Sequence, residues 1–150
     1  MKAVIQRVAQ ASVTIDGKVN GAIEQGLLIL LGVTHEDSND DIDWLIRKIM
    51  NMRIFSDTEG LMNLSCQDVK GNYLVISQFT LQASTKKGNR PSYINAARPE
   101  IAIPLYETFV KQLGVQTQTD IKTGIFGADM KVSLLNDGPV TIIIDSKNKE

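Results

Sequence analysis

Leu27-Leu28-Ile29-Leu30-Leu31-Gly32-Val33 is apolar at every position. Successive side chains of a strand point to opposite faces, so a strand without a polar member has to be covered on both. The run is far shorter than the roughly 20 residues that a bilayer span needs. It reads as a strand covered on both faces, and the flanking segments are placed around it.

Upstream, residues 2–15 alternate, with Ala3, Ile5, Ala9, Ala11, Val13 and Ile15 on one face and Arg7 interrupting it. Asp16-Gly17 supplies a tight turn, and Val19 to Ile23 returns as a second strand. Arg7 admits two readings. If buried it needs hydrogen-bonding partners; otherwise it snorkels to the edge of the sheet.

Downstream, Ser38 stands three residues before Asp41 as in a capping box, and Ile42, Leu45, Ile46, Ile49 and Met50 follow at helical spacing. The acidic residues Asp37, Asp40, Asp41 and Asp43 suit that helix N-terminus better than a metal site. Arg53 to Ser56 reads as a short strand and Asp57 to Gly60 as a turn. Leu61 to Lys70 shows no clear period; its cysteine, Cys66, is assigned no role.

Tyr73 to Leu81 alternates as a strand, Tyr73, Val75, Ser77, Phe79 and Leu81 facing one way. Ser77-Gln78 inside such a run is unfavourable unless both side chains find partners. The pattern alone leaves open a strand end meeting water or a rim of donors facing a pocket. From Thr85 to Arg98 there are four cations, Lys86, Lys87, Arg90 and Arg98, and no acid. Such a run is ordinary solvated surface, or a grip for phosphates if a polyanion site lies beside it.

Pro99 suits a helix start, and Ile101, Leu105, Phe109 and Leu113 recur before Gly114, where the helix is expected to stop. Pro104 is expected to delay the regular part to about residue 104. Val115 to Ile121 reads as a strand, and Gly124-Ile125-Phe126-Gly127 as a flexible turn with an exposed aromatic ring. Val132 to Leu135 and Val140 to Asp145 read as a closing hairpin about Asn136-Asp137-Gly138-Pro139. Residues 146–150 are expected to fray.

The 150 residues suit one domain, 1–150, with 16 basic against 17 acidic side chains and no global field toward nucleic acid. One cysteine excludes an internal disulfide, and the opening Met1-Lys2 leads straight into strand pattern rather than a secretory leader. A soluble, cytoplasmic protein is expected. One histidine, His35, and one cysteine do not make up the usual zinc ligand sets, and no phosphate-binding or dinucleotide glycine motif is present. No metal and no cofactor are expected. Thr80 is the candidate nucleophile in its motif, and no activating base is visible beside it.

Ser77-Gln78-Phe79-Thr80-Leu81 and Asn136-Asp137-Gly138-Pro139, taken with Ile5-Gln6-Arg7-Val8, Arg53-Ile54-Phe55-Ser56-Asp57, Met62-Asn63-Leu64 and Ala128-Asp129-Met130-Lys131-Val132-Ser133-Leu134, resemble the D-aminoacyl-tRNA deacylase family over nearly the whole chain. The resemblance implies a β/β/α layered fold of mostly antiparallel strands with two main helices on one side. It implies hydrolysis of the ester between a D-amino acid and tRNA, and of glycyl-tRNA, helped by the 2′-hydroxyl of the terminal ribose. It assigns Ser77 and Gln78 to substrate anchoring and the Phe79 and Thr80 amides to the oxyanion. Gly138 and Pro139, joined by a cis bond, would project into the partner subunit of a homodimer as a chiral gate, with Arg7 supporting them. Phe126 and Met130 would line the adenosine pocket, and Lys86, Lys87, Arg90 and Arg98 would meet tRNA phosphates. Two rivals stand beside this reading: an esterase with Thr80 as covalent nucleophile, and a non-catalytic module that binds RNA ends. The editing domain of archaeal threonyl-tRNA synthetases is similar in fold, so fold alone does not choose the substrate.

Overall fold

The structure, a computed structural model, describes residues 1–149. Strand β1 (Lys2–Ile15) is its axis. Along one edge β1 pairs antiparallel first with β3 (Gly26–Gly32), then with β2 (Lys18–Ile23); along the other it pairs antiparallel with β8 (Lys131–Asp145). Beyond β3 lie β6 (Asn72–Ser77) and β7 (Lys122–Thr123), both joined in parallel. Strands β4 (Phe55–Ser56) and β5 (Met62–Leu64) form a separate ribbon, which gives Leu61 to Lys70 an element its sequence had not shown. The helices are α1 (Asn39–Asn51) and α2 (Pro99–Thr117).

The sheet rolls until β2 meets β7, where the Asn20 amide donates to the Thr123 carbonyl at 2.7 Å. Two cores result. Val8, Ala11, Val13, Ile23, Leu28, Leu74 and Ile76 fill the inside of the roll. Ala3, Ile5, Leu27, Ile29, Leu31, Tyr73 and Val75 face the other way, against α1 and α2. Members of β3 and β6 thus point into both cores, which is why Leu27 to Val33 carries no polar residue. Each fully buried Leu or Ile contributes roughly 1.5–3 kcal/mol, so the doubly covered strands anchor the fold. Two strand layers and one helical layer are the expected β/β/α arrangement, with mostly antiparallel pairing.

Helix α1 begins as its sequence predicts, Ser38 and Asp41 closing a reciprocal capping box. The turn at Asp16 and Gly17 takes positive φ at both residues, 49° and 75°, and returns the chain into β2.

Six expectations are corrected. First, the closing hairpin does not form: Lys131–Asp145 is one strand, because both halves find their ladder on the long β1. Gln6 pairs with Thr141 and Val8 with Asn136, so Asp137 to Val140 bulge out opposite Arg7. Second, that irregularity shifts the phase of β1: Ala9 is exposed, and Val8 enters the core instead. Third, the strand after Tyr73 stops at Ser77, and Phe79–Gln82 turn as a 3-10 helix, carrying Phe79 and Thr80 off the sheet. Fourth, α2 runs unbroken through Pro104 and Gly114 and ends at Gln118, whose left-handed φ of 54° lets its N–H reach the Gly114 carbonyl. Val115 to Thr117 are therefore helical, not strand, and Ala102, Tyr106, Phe109 and Leu113 make the buried face. Fifth, Phe126 is half-buried, edge-on to Tyr106 at 6.1 Å between centroids, rather than exposed. Sixth, Ser146 is buried and Lys147 is tied to Asp41 and to the Glu36 carbonyl, so the chain is anchored at both; Glu150 lies outside the described residues.

Candidate active site

Where β6 gives way to the 3-10 turn, a cavity of about 260 Å³ opens between the sheet and α2. Its floor is apolar, made by Leu31, Ile76, Ala102 and Val132, with Tyr106, Phe126 and Met130 along the walls. The Tyr106 hydroxyl donates to the Val75 carbonyl at 2.8 Å; burial raises its pKa, so it stays a neutral donor. The polar rim is Ser77 and Gln78, the Phe79 segment and Asp129.

Local chemistry explains the turn. The Gln78 N–H closes the ladder on the Leu31 carbonyl at 2.8 Å, and the first bond of the turn runs from the Leu81 N–H to the Gln78 carbonyl at 3.2 Å. The N–H groups of Phe79 and Thr80 precede that bond, and among the described residues neither donates to a protein acceptor. The turn rests on Gly32: a Cβ there would stand 2.9 Å from the Gln78 carbonyl oxygen and 3.0 Å from the Leu81 Cβ. Gln82 locks the packing by donating to the Gly32 carbonyl at 3.0 Å.

Of the residues singled out in the sequence, Ser77, Gln78, Phe79, Phe126 and Met130 line this cavity. Thr80 stands beside it, its Oγ accepting a hydrogen bond from the Gln78 side-chain amide at 2.6 Å. An amide N–H cannot take the hydroxyl's proton, so Gln78 positions Thr80 without activating it. Lys86, Lys87, Arg90 and Arg98 are exposed and outside the lining. Among the described residues the one carboxylate at the rim, Asp129, is paired with Lys131 at 2.9 Å. Among the described residues no three His, Cys, Asp or Glu side chains converge on a metal-sized site. No described helix is long and apolar enough to cross a membrane.

Gly138 and Pro139 belong to the bulge of β8, exposed and outside the lining of their own subunit's cavity, with a cis bond between them. Arg7 is buried and has partners: its Nε donates to the Asp137 carbonyl at 2.7 Å and its Nη1 to the Ile54 carbonyl at 2.6 Å. Its guanidinium lies 6.0 Å from the centre of the Phe55 ring. Asn136 closes the far side, its side-chain oxygen accepting from the Val140 N–H at 2.8 Å.

Sequence reasoning missed Tyr106 and Ala102. Their spacing of four residues on α2, continued by Phe109, was a readable signal, masked by the more apolar Ile101 and Leu105 beside them.

The family model for D-Tyr-tRNA(Tyr) deacylase matches residues 4–145. The chain belongs to that family, and it is an enzyme, a hydrolase of ester bonds. Two D-aminoacyl-tRNA deacylases, from Flavobacterium psychrophilum and Bacteroides fragilis, are each 65% identical over 150 residues and covered end to end, as is this chain. Among solved structures, the c-Myc DNA unwinding element binding protein is 43% identical with a TM-score of 0.92, over 97% of this chain and 98% of that one. A probable eukaryotic D-amino acid tRNA deacylase shares the fold at 14% identity, TM-score 0.82, over 95% of this chain and 97% of that one.

Proposed function

We propose that this enzyme hydrolyses the ester between a D-amino acid and the 3′-end of tRNA, releasing both, and that it clears glycyl-tRNA as well. The observation that carries the reading is the pair of N–H groups, Phe79 and Thr80, without a protein acceptor among the described residues, beside a cavity whose one lining carboxylate, Asp129, is ion-paired with Lys131. An aminoacyl ester is already activated, and its ribose carries a neighbouring 2′-hydroxyl that assists the attacking water. The protein then has to hold the ester and stabilise the oxyanion, which two fixed N–H groups accomplish. Ser77 and Gln78 anchor the amino acid, Phe126 and Met130 flank the adenosine, and Lys86, Lys87, Arg90 and Arg98 meet phosphates.

Gly138 and Pro139 are exposed and lie outside the lining of their own cavity, so a gating role requires a second copy. In the proposed homodimer their carbonyls occupy, in the partner's cavity, the space that an L side chain would need. Arg7 holds them there. Exclusion of this kind reads chirality rather than identity, so many D side chains pass, and glycine passes too. The enzyme acts where charged tRNA is found, in the cytoplasm.

The test is single-turnover deacylation of D-Tyr-tRNA, L-Tyr-tRNA and Gly-tRNA by the wild type and by Thr80→Ala. Loss of the D and glycyl esters at least about a hundredfold faster than in buffer is expected, with the L ester spared and the variant still active. An inactive Thr80→Ala, with an acyl-enzyme trapped in the wild type, would transfer the chemistry to the Thr80 hydroxyl. Binding of tRNA with no cleavage of any ester would leave an RNA-end binding module.

A further inference from the structure

Two aromatic rings stand exposed outside the cavity mouth. Phe79 is 55% and Tyr93 41% exposed, and they meet edge to face with centroids 5.1 Å apart. Phe79 lines the cavity with part of its residue, so the pair begins where the cavity ends. Tyr93 is held in place by its neighbour: Ser92 and Ser84 exchange two backbone hydrogen bonds, 2.8 and 2.9 Å, which close residues 85–91 into a loop. That loop carries Lys86, Lys87 and Arg90, all exposed, with no acid between Thr85 and Arg98. Rings left in water beside the reactive turn of an enzyme call for an occupant. Planar aromatic rings next to clustered cations suit an unpaired nucleobase and its phosphate, because every base offers a π-face and the phosphate tracks the positive charge.

We infer that Phe79 and Tyr93 form a stacking platform for the nucleobase that precedes the aminoacylated terminal nucleoside, with its phosphate on the basic loop. The inference rests on the proposed tRNA-ester reading and adds a second nucleotide subsite to it. The cavity holds the terminal aminoacyl nucleoside; the chain then leaves over the ring of Phe79 and is caught by Tyr93. Stacking reads no hydrogen-bonding edge, so the platform accepts the same invariant end from every tRNA.

The experiment compares three short substrates bearing D-tyrosine: the adenosine ester, the same ester with a 5′-phosphate, and the cytidylyl-adenosine ester. For the wild type, kcat/KM is expected to rise about tenfold or more from the phosphorylated adenosine to the dinucleotide, the scale of one base stack, and through KM. Tyr93→Ala is expected to bring that ratio close to one and Tyr93→Phe to keep it. A ratio between substrates is insensitive to how much of a variant folds. Equal wild-type rates on the phosphorylated adenosine and the dinucleotide would overturn the inference while leaving the deacylase reading standing. Failure of the wild type to cleave any of the three, or intact D-Tyr-tRNA, would remove both. A Tyr93→Ala enzyme that keeps the ratio but sediments as a smaller particle would give the rings to a second copy of the chain, and the inference would fall.

Discussion

At the scale of single residues, Arg7 and Gly138 depend on each other. Gly138 has φ of 150°, and a Cβ there would stand 2.7 Å from the Val140 Cγ2, 2.9 Å from the Val140 N and 3.1 Å from an Arg7 guanidinium nitrogen. The space beside Gly138 is taken up first by Val140 and then by Arg7, the residue that supports the bulge. Gly138→Ala is therefore expected to lower stability by about 1–3 kcal/mol, read as a shift of the urea midpoint at constant slope. Asp137→Ala should shift it much less, since Arg7 grips the main-chain oxygen and its carboxylate contact is a long 3.6 Å. An unmoved midpoint in Gly138→Ala would mean that the bulge yields to a methyl group. The pattern of β1 showed that an arginine interrupts an apolar face. Its partners, Ile54 and the bulge, lie 47 and 130 residues away, beyond any local reading.

At the scale of elements, the start of α1 binds both ends of the chain. Asp37 takes the N-terminal amine at 2.5 Å, and Asp41 accepts from the Ser146 hydroxyl at 2.6 Å and from Lys147 at 2.9 Å. Burial pushes the Asp41 carboxyl up, but hydrogen bonds from Ser146, Lys147 and the Ser38 N–H, with the charge of the N-terminal amine, outweigh it and hold its pKa below the ordinary 3.8. A pKa depressed in the folded state stabilises fully above the unfolded value and is lost as pH falls toward the folded one. Asp41→Asn is expected to lower stability at pH 7 by roughly 1.5–3 kcal/mol, the scale of a hydrogen bond to a charged group. That deficit should shrink as pH falls below about 4. Chemical denaturation at a series of pH values checks this, and a deficit constant down to pH 2 would contradict it. The capping box was legible because it spans three residues. The grip of Ser146 on Asp41 was not, because it spans 105.

At the scale of the whole molecule, β8 leaves an edge open. Among the described residues it pairs with β1 alone, and its exposed side chains include Leu135 at 56% and Ile143 at 66%. Long exposed apolar edges invite a further strand or a second subunit. In the proposed homodimer this strand lies at the interface and carries Gly138 and Pro139 across it. Sedimentation of the wild type is expected to give a dimer at micromolar concentration, and Ile143→Lys a monomer with deacylation of D-Tyr-tRNA at least about tenfold slower. An active, monomeric wild type would require each gate to act some other way.

The sequence by itself determined what depends on neighbours along the chain. An unbroken apolar run required two covered faces, serine and aspartate three apart started α1, Asp16-Gly17 turned the first hairpin, and two short motifs carried the family likeness. Tertiary structure alone decided whom the segments beyond that first hairpin pair with. The last apolar runs look like a hairpin until β1 offers both of them a longer ladder. The strand through Tyr73 looks continuous until β3 ends at Gly32 and the chain folds over it. Helix α2 looks finished at Gly114, yet continues to a left-handed residue four positions on. Periodicity records which side chains share a face. The partner of that face is chosen by contacts tens of residues apart, and in this enzyme those contacts set the turn at Phe79 beside the cavity and hold the bulge of β8 on Arg7, outside that cavity's lining.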